Sequence, residues 1–476
     1  MAPLSKFASH FIAFWDAFFQ GPKRQRSLFS ITTKLTTSIG FAATLTYGPG
    51  AQAARYSGRI TLGSYVSAES YSATSADTSP NDFATVSNRF FLNYADFGLS
   101  GVSLTTDVRD KHDFFDRLDK ERLQLNASNA FQLRRLSATY DQSGRRFFTT
   151  FGRFPVQEAG ATQTDGIESG VKITEMWRLA AFAGYNPKTL DTSYLTFQKD
   201  RTVFGLWTAY QPRFDFWKRY LRQSAAFVVE KYQSQTDRNY LYNSFVFQWS
   251  APSQISAQAY VDFVPSSKMQ NGNLSYNQEW VQGLTTTLSF SRIDVIEYAR
   301  RQGLLETRSP SPYTEESLRV KGDLSNSLSL YSEVSSGLRS IDNLKRTEVS
   351  VGTVATRFLS RYLTAKLEGA SRKNFASTDT LIRSEIGFFS NKWEFIFKVD
   401  AGVSQETGTD AMTVHPIELE VGTAYFISKQ LYMTLNLQSA RDERVKILSG
   451  FFKLGYRFGT QEVAPLRDGA PPIGSL

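Results

Sequence analysis

Apolar and polar side chains alternate with a period of two residues over most of the chain, from about residue 56 to residue 458. The alternation is clearest in the C-terminal half. Residues 417–427 place Ile, Leu, Val, Thr, Tyr and Ile at every second position, with Glu418 and Glu420 between them. Successive side chains of a β-strand point to opposite faces of the sheet. The pattern therefore predicts a series of β-strands, each with one apolar and one polar face.

Counting these segments predicts 22 strands, an even number that suits a closed up-and-down barrel. The predicted strands span residues 57–70, 84–95, 99–110, 129–141, 145–155, 165–175, 177–187, 201–212, 223–233, 240–250, 255–264, 273–281, 284–294, 315–324, 328–337, 347–357, 362–370, 380–389, 392–404, 416–427, 431–440 and 445–458. The alternation is blurred between residues 111 and 233, so totals of 18 and 20 strands stay open.

The connections between the predicted strands alternate between short and long. Tight turns are predicted at residues 281–283, 324–326, 359–361, 390–392 and 428–430, and longer polar stretches at 265–272, 295–313, 338–346, 371–379 and 405–415. A membrane barrel has this arrangement when one rim carries turns and the other carries loops. A soluble sandwich has no reason to keep that order over so many hairpins.

Charged side chains are segregated to one face of the clearest strands, and that face is predicted to line a water-filled lumen. The candidate lumen-lining residues are Glu168, Lys172, Asp262, Arg319, Lys321, Glu333, Glu348, Lys366, Glu368, Arg383, Glu385, Glu394, Lys398, Asp400, Glu418 and Glu420. A Lys or Arg on the lipid-facing side at mid-bilayer costs about 2–4 kcal/mol, whereas a wet lumen tolerates it. A large soluble β-sandwich or solenoid with one buried face is the alternative, since it would also segregate charge.

Aromatic side chains near the predicted strand ends favour the membrane interpretation. These residues are Trp249, Trp280, Phe290, Phe388, Trp393, Tyr425, Tyr456 and Phe458. Aromatic rings sit well at the boundary between hydrocarbon and headgroups. We therefore predict an all-β protein: a transmembrane antiparallel up-and-down β-barrel of about 22 strands, forming a single domain over residues 54–458.

The first 53 residues are predicted to be a secretion signal. They carry five Lys or Arg residues and one acidic residue, and a basic cluster at 23–26 precedes a weakly apolar stretch. Ala51-Gln52-Ala53 then fits a small-x-small cleavage pattern. An amphipathic helix near the start, or a start codon placed too early, would also explain why the basic segment before the apolar stretch is long. Residues 459–476 contain three prolines and are predicted to be a flexible periplasmic tail.

Composition excludes several classes of chemistry. The chain of 476 residues has no Cys and three His, so thiol catalysis, disulfides and Cys-ligated metals are ruled out. His415 near Asp410 and His112 beside Asp113 are loop neighbours that we interpret as chance rather than as catalytic or metal sites. No Gly-rich phosphate loop follows a strand. We expect no enzyme activity, no cofactor and no metal.

Charge gives no indication of nucleic-acid binding. The formal charge of the whole chain is +9. Without residues 1–53 it is +5, because 54 minus 5 leaves 49 basic residues and 45 minus 1 leaves 44 acidic ones. That excess is small and dispersed.

The last predicted strand resembles the terminal β-signal of bacterial outer-membrane proteins. Its alternating apolar positions end in Tyr456 and Phe458. The resemblance implies a porin-like barrel in the bacterial outer membrane, with the barrel-assembly machinery and outer-membrane lipid as partners. Gly152-Arg153 followed by Asp165-Gly166 is similar, more weakly, to a stretch of general porins. The chain departs from porins in continuing past Phe458.

The resemblance implies a passive channel for small polar solutes. The strand pattern starts almost directly after Ala54, where a TonB-dependent transporter would need a globular plug. An unplugged barrel of this width leaks unless loops fold inward, and the loops at 111–128 and 295–313 are long enough to do so. A surface-interaction or structural barrel with a closed lumen is the alternative function. A transporter of apolar compounds is disfavoured by the charged inner faces. Ion selectivity and oligomeric state stay open.

Overall fold

The fold is taken from a computed structural model. The structure describes residues 55–71, 83–113, 129–187, 199–214, 219–294, 296, 299, 312–407 and 411–460. The predicted signal at 1–53 and nearly all of the predicted tail at 459–476 lie outside the described residues. So do most of the 111–128 and 295–313 loops.

Twenty-two long strands make up the described part of the chain. They are β1 (Arg55–Tyr71), β2 (Phe83–Ala95), β3 (Val102–Asp113), β4 (Asn129–Tyr140), β5 (Phe147–Val156), β6 (Thr162–Lys172), β7 (Trp177–Tyr185), β8 (Arg201–Tyr210), β9 (Arg219–Tyr232), β10 (Gln235–Gln248), β11 (Gln254–Val264), β12 (Lys268–Val281), β13 (Leu284–Ile293), β14 (Tyr313–Ser325), β15 (Leu328–Arg339), β16 (Leu344–Thr356), β17 (Leu363–Lys373), β18 (Ser377–Phe389), β19 (Trp393–Glu406), β20 (Ile417–Phe426), β21 (Leu431–Arg441) and β22 (Val445–Gly459). Two-residue strands at Arg213–Phe214 and Thr413–Val414 flank β9 and β19.

The strands form one closed antiparallel barrel. Each strand pairs with the next in the chain, and β22 pairs with β1 from Gly459 opposite Ser57 to Val445 opposite Tyr71. Closure leaves no edge strand with unpaired backbone groups, which is what a sheet surrounded by hydrocarbon requires. The predicted fold class and the total of 22 strands are confirmed.

Strand positions agree with the sequence pattern to within five residues. The largest differences are at the starts of β10 and β12, predicted at 240 and 273 and observed at Gln235 and Lys268. Polar strand ends look like loops in sequence, whereas pairing with the neighbouring strand keeps them extended. The prediction that Lys111 and His112 lie in a loop was wrong for this reason, because both belong to β3 and pair with β2.

Contacts across the barrel identify its inner face. The hydroxyls of Thr162 and Tyr240 are 2.5 Å apart, and the Tyr260 hydroxyl donates to the Gly160 carbonyl at 3.0 Å. The first contact joins β6 to β10, four strands away, and the other face of the strands between them carries exposed side chains such as Leu206 and Phe227. The contacts therefore lie on the interior side of the sheet. Ladder partners share a face and alternate along each strand, so the register assigns every other position.

The outward positions carry the exposed apolar side chains. They include Leu206, Phe227, Leu241, Leu274, Leu288, Leu318, Val351, Leu367, Ile382, Phe395 and Leu419. At the turn end of the sheet, Trp393 and Tyr425 are ladder partners whose ring centroids lie 4.3 Å apart. Among the described residues, no helix is both long enough and apolar enough to cross a membrane.

Candidate functional site

The predicted lumen residues of β14–β20 lie on the inner face and are brought together as ladder partners. Each strand contributes charges at every second position, so opposite charges meet across neighbouring strands. The pairs of opposite charge are Arg319 with Glu333, Lys366 with Glu385, Glu368 with Arg383, Glu385 with Lys398, Arg383 with Asp400 and Lys398 with Glu420. Asp400 is also the ladder partner of Glu418, a pair of like charge. Glu394 is opposite Phe389 at the turn end of the same face.

Arg383 is the centre of an ion-pair network on this wall. Its Nη1 lies 2.7 Å from Glu368 Oε1 and 3.2 Å from Glu348 Oε1. Arg346 holds the other oxygen of Glu348 at 2.8 Å, and the Tyr331 hydroxyl donates to Glu368. Hydrogen bonds to ionised groups are the strong ones, so this part of the wall holds its side chains in fixed positions.

Arg319 and Lys321 extend the same wall toward β14. The Arg319 guanidinium lies 4.3 Å from the centroid of the Tyr331 ring. Lys321 is the ladder partner of Tyr331. A cation over an aromatic face is attracted by the ring quadrupole, so Tyr331 stabilises the Arg319 charge in addition to Glu333, the ladder partner of Arg319.

Three predicted residues lie elsewhere on the inner face, over β6 and β11. Glu168 accepts a hydrogen bond of 2.7 Å from the Trp207 indole. Lys172 pairs with Asp141. Asp262, which is 1% exposed, lies 2.9 Å from Arg238 Nη2. Glu168 and Asp262 are buried, so they cannot form part of an open wet surface, whereas Lys172 is partly exposed.

A basic stripe runs over β22 and β1–β4. The sequence pattern indicated only its β22 members, Lys453 and Arg457, as lumenal charges. Its inward-facing members are Arg457, Lys453, Arg59, Arg89, Arg109, Lys111 and Arg135. Two pairs are like charges placed directly opposite each other: Arg59 with Arg457, and Arg89 with Arg109. Asp107 binds Arg89 through two hydrogen bonds of 2.7 and 2.8 Å. The sequence signal was weak because aromatic residues occupy both faces of β2, as at Phe90 and Phe91.

Strand β21 separates the basic stripe from the acidic positions of β20. Its inward side chains are Tyr432, Thr434, Asn436 and Gln438, all neutral. Asn436 and Gln438 donate to Glu420 and Glu418, each at 2.7 Å. Strands lie about 4.8 Å apart, so the wall changes from acidic to basic over roughly 10 Å. A solute with two charged ends can be oriented by such a surface.

The tip of the β5–β6 hairpin, residues 153–165, turns into the interior. β4 pairs with β5 only from Tyr140 to Leu136, although β4 extends to Asn129. The 3-10 turn Gln157–Ala159 at the end of the hairpin contacts β8, β9 and β10. The tip therefore fills one side of the barrel.

Packing inside the barrel holds this hairpin tip in place. A buried apolar cluster forms between the tip and the inner wall, comprising Phe148, Phe154, Val156, Ala159, Ala180, Phe182, Val203, Trp207, Ala226, Val228, Tyr240 and Tyr242. These side chains are removed from water and stabilise the inward position through the hydrophobic effect. The prediction that one face would be purely lumenal was wrong for these strands, because part of their inner face is a packed core.

An ion pair holds the base of the tip against β4. Arg153 Nε donates to Asp165 Oδ1 at 2.6 Å, and Arg153 Nη1 donates to the Leu133 carbonyl at 2.9 Å. That carbonyl lies on the part of β4 that has no β5 partner. Gly152 has a φ of +114°, and a Cβ there would collide with the Leu136 carbonyl. In the Gly152-Arg153 and Asp165-Gly166 stretches, Gly152 thus allows the chain to bend at the base of the tip, and the Arg153–Asp165 ion pair holds that base against β4.

The histidines of the described residues form hydrogen bonds with carboxylates. His112 Nε2 lies 2.8 Å from Asp110, and His415 Nδ1 lies 2.7 Å from Glu443. Asp410, the predicted neighbour of His415, lies outside the described residues. Within the described part of the chain, no group of three or more His, Asp or Glu residues is placed to hold a metal ion.

The proposed assembly-signal residues lie at the turn end of β22 with outward side chains. Tyr456 is opposite Ile60 of β1, and the ring of Phe458 stacks 6.4 Å from Phe90. Both residues lie in the seam that closes the barrel.

Comparisons with known proteins find structural similarity alone. No protein-family model and no curated protein matches the sequence. Among solved structures, OccAB4 of Acinetobacter baumannii is 9% identical with a TM-score of 0.41, covering 87% of this chain and 100% of that one. OpdQ of Pseudomonas aeruginosa is 10% identical with a TM-score of 0.43, covering 85% and 98%. A BenF-like porin from Pseudomonas fluorescens Pf-5 is 12% identical with a TM-score of 0.40, covering 86% and 99%.

Proposed function

We propose that this chain is a porin-like channel of the bacterial outer membrane that allows small polar solutes to diffuse passively. One observation carries the proposal: the 22-stranded barrel is closed, with exposed apolar side chains outside and charged ladders inside. That distribution is stable when hydrocarbon surrounds the barrel and water enters it. It has no evident purpose in a protein surrounded by water.

The conducting path runs along one side of the barrel. The hairpin tip and its apolar cluster fill the interior beside β5–β11. The remaining wall, from β14 through β22 to β3, carries the ion-pair network, the neutral strand β21 and the basic stripe. Solutes therefore pass along a charged surface on one side and the hairpin tip on the other.

The basic stripe gives this path a preference for anions. Like charges placed directly opposite each other across a ladder destabilise a sheet, and Arg59 with Arg457 is such a pair. An anion passing between two guanidinium groups relieves their repulsion and gains charge-assisted hydrogen bonds. Small solutes that carry a carboxylate or phosphate are expected to pass more readily than cations of equal size.

Planar-bilayer recordings test the channel proposal. Purified protein should give stepwise conductance, and protein unfolded by heating should give none. Migration on detergent gels before and after heating reports in parallel whether the barrel is closed. A barrel that stays folded and never conducts would refute the channel function.

Reversal potentials in a salt gradient test the anion preference. Replacing Arg59 and Arg457 by Gln should shift selectivity toward cations, because two positive charges leave the path. Replacing Glu418 and Glu420 by Gln should shift it the opposite way and serves as the matched control. Selectivity that does not respond to the arginine variants would contradict the path described above.

A closed barrel that binds a partner through its loops is the second candidate function. The inward hairpin tip favours it, because an element inside the barrel reduces the open cross-section. Deleting the loop residues 114–128 or 295–312, which leaves β3 and β14 intact, separates the two functions. Increased conductance supports the channel, whereas loss of surface binding with unchanged permeability supports the second candidate.

A further inference from the structure

Four cations end the outward apolar runs at the loop end of the barrel. On β16–β22, the outward positions of the described residues carry Lys345, Lys373, Arg441 and Lys446, and no carboxylate. All four side chains are exposed. We call these residues the outer basic collar.

The distance along the strands from the outer basic collar to the aromatic residues at the turn end matches the thickness of the hydrocarbon layer. On the outward face of β22, Lys446 is followed by Leu448, Gly450, Phe452 and Leu454 before the aromatic Tyr456. Ten residues rising about 3.3 Å each on a strand tilted by about 40° span roughly 25 Å along the membrane normal. If Tyr456 lies at the periplasmic interface, Lys446 lies at the level of the headgroups of the outer leaflet.

Arg441 and Lys446 are directly opposite each other across the β21–β22 ladder. Two like charges at this spacing repel and destabilise the hairpin unless an anion lies between them. Neither has a carboxylate within ion-pair distance in the described part of the chain. The acids of the adjacent loop have other partners.

The two acidic residues of the β21–β22 loop bind groups other than Arg441 and Lys446. Asp442 accepts hydrogen bonds from the backbone N–H groups of Arg444 and Val445. Glu443 binds His415 through the backbone and the ring. The loop thus holds its negative charges away from the Arg441–Lys446 pair, which leaves both cations directed at the surrounding lipid.

We propose that the outer basic collar binds the phosphate groups of outer-leaflet lipid, with Arg441 and Lys446 as its main site. Arg and Lys both donate to phosphate oxygens, and a phosphate between them accepts from both. Lys373 and Lys345 provide a second contact on β16 and β17. The inference rests on the proposed outer-membrane location and adds the lipid group and the residues that hold it.

Native mass spectrometry of the full detergent-solubilised barrel tests the proposal. The probes are lipid A carrying its phosphates and the same lipid after enzymatic dephosphorylation. Wild-type protein should retain the phosphorylated form preferentially, and more weakly as salt is raised. The double variant Arg441→Gln/Lys446→Gln should bind it about tenfold less tightly, the loss expected for one charge-assisted contact.

The matched control removes two exposed lysines from turns at the opposite end of the barrel. Lys392→Gln/Lys429→Gln changes the net charge equally and should leave lipid retention unchanged. Heat-dependent gel migration verifies that both variants are folded. Equal retention by wild type and the Arg441/Lys446 variant, or equal retention of the dephosphorylated lipid, overturns the proposal.

Failure of this proposal is distinguishable from failure of the channel proposal. The collar faces outward, so the Arg441→Gln/Lys446→Gln variant should conduct as the wild type does. A wild-type barrel that binds phosphorylated lipid without conducting refutes the channel alone. A conducting barrel with no preference for phosphate refutes the collar alone.

Discussion

At the scale of single residues, the effect of a charged side chain in this barrel depends mainly on whether it is buried or exposed. Arg153 shows the strictest case, because its side chain is 9% exposed and its partner Asp165 is 5% exposed. Removing one member of a buried pair leaves the other charge without compensation, at a cost of about 3–5 kcal/mol. The pair therefore stabilises the inward position of the hairpin tip in addition to the apolar cluster.

Replacing Arg153 by Ala should release the tip without opening the barrel. Backbone hydrogen exchange over residues 157–164 should accelerate, and single-channel current should become noisier, since Asp165 loses its partner and the Leu133 carbonyl loses its donor. Arg145→Ala in the neighbouring exposed turn is the control and should match wild type. Unchanged exchange in the Arg153 variant would show that the apolar cluster alone holds the tip.

The hydrogen bonds between His415 and Glu443 predict a local dependence on pH outside the membrane. Hydrogen bonds from the His415 backbone N–H and ring hold the pKa of Glu443 below its usual range. A carboxylate with a lowered pKa stabilises the folded state above its unfolded pKa, and that contribution disappears as pH falls through the lowered value. Exchange of the His415 amide, measured relative to its intrinsic rate at each pH, should therefore accelerate between about pH 5 and pH 3.

A Glu443→Gln variant is the control for this pH effect. Its side chain cannot ionise, so exchange at His415 should lose the extra acceleration in acid. If wild type and variant respond to acid identically, Glu443 is not the titrating group.

At the scale of elements, the β5–β6 hairpin differs from every other hairpin whose loop-end connection is described. Its strands leave the wall before they end, and Gly152 allows the bend that directs them inward. The remaining strands keep the ladder and serve as wall. Within the described residues, this hairpin tip reduces the free cross-section, while the inner charges of β14–β22 and β1–β4 face the remaining space.

Shortening this hairpin should widen the channel. Replacing residues 157–161 by Asn-Gly, which favours a tight two-residue hairpin turn, removes the 3-10 turn that contacts β8–β10. Single-channel conductance should rise, because the tip no longer occupies the lumen. A matching Asn-Gly replacement of the 340–343 loop, on the far wall, is the control and should leave conductance unchanged. Equal conductance in all three proteins would place the narrowest point elsewhere.

At the scale of the molecule, stability depends on closing the barrel between β22 and β1. This pairing runs over fifteen positions of β22, from Val445 to Gly459. Without it, β1 and β22 would become edges with unpaired backbone groups, each costing several kcal/mol in hydrocarbon. The outward Tyr456 and Phe458 lie in this seam, where we propose that the assembly machinery recognises them.

Two truncated chains distinguish the role of the β22–β1 pairing from that of the residues after 460. A chain ending at residue 460 should fold and migrate like wild type on unheated gels, because every ladder is retained. A chain ending at residue 444 should give no heat-modifiable species. Tyr456→Ala/Phe458→Ala should slow insertion in cells yet allow refolding in detergent if these rings serve as a signal. Equal defects in both settings would assign them a purely structural role.

The sequence alone predicted the strands, a total of 22 with 18 and 20 left open, and the sorting of charge on β14–β20. A period of two and the alternation of short and long connections are local properties of the chain, which is why the sequence carries them. Strand boundaries agreed to within five residues for the same reason. Only the tertiary structure decided which part of the inner face is open. The hairpin tip, the Arg153–Asp165 ion pair and the basic stripe depend on contacts between strands that are distant in sequence. No local pattern distinguishes an inward side chain in water from one packed against an inward-folded hairpin.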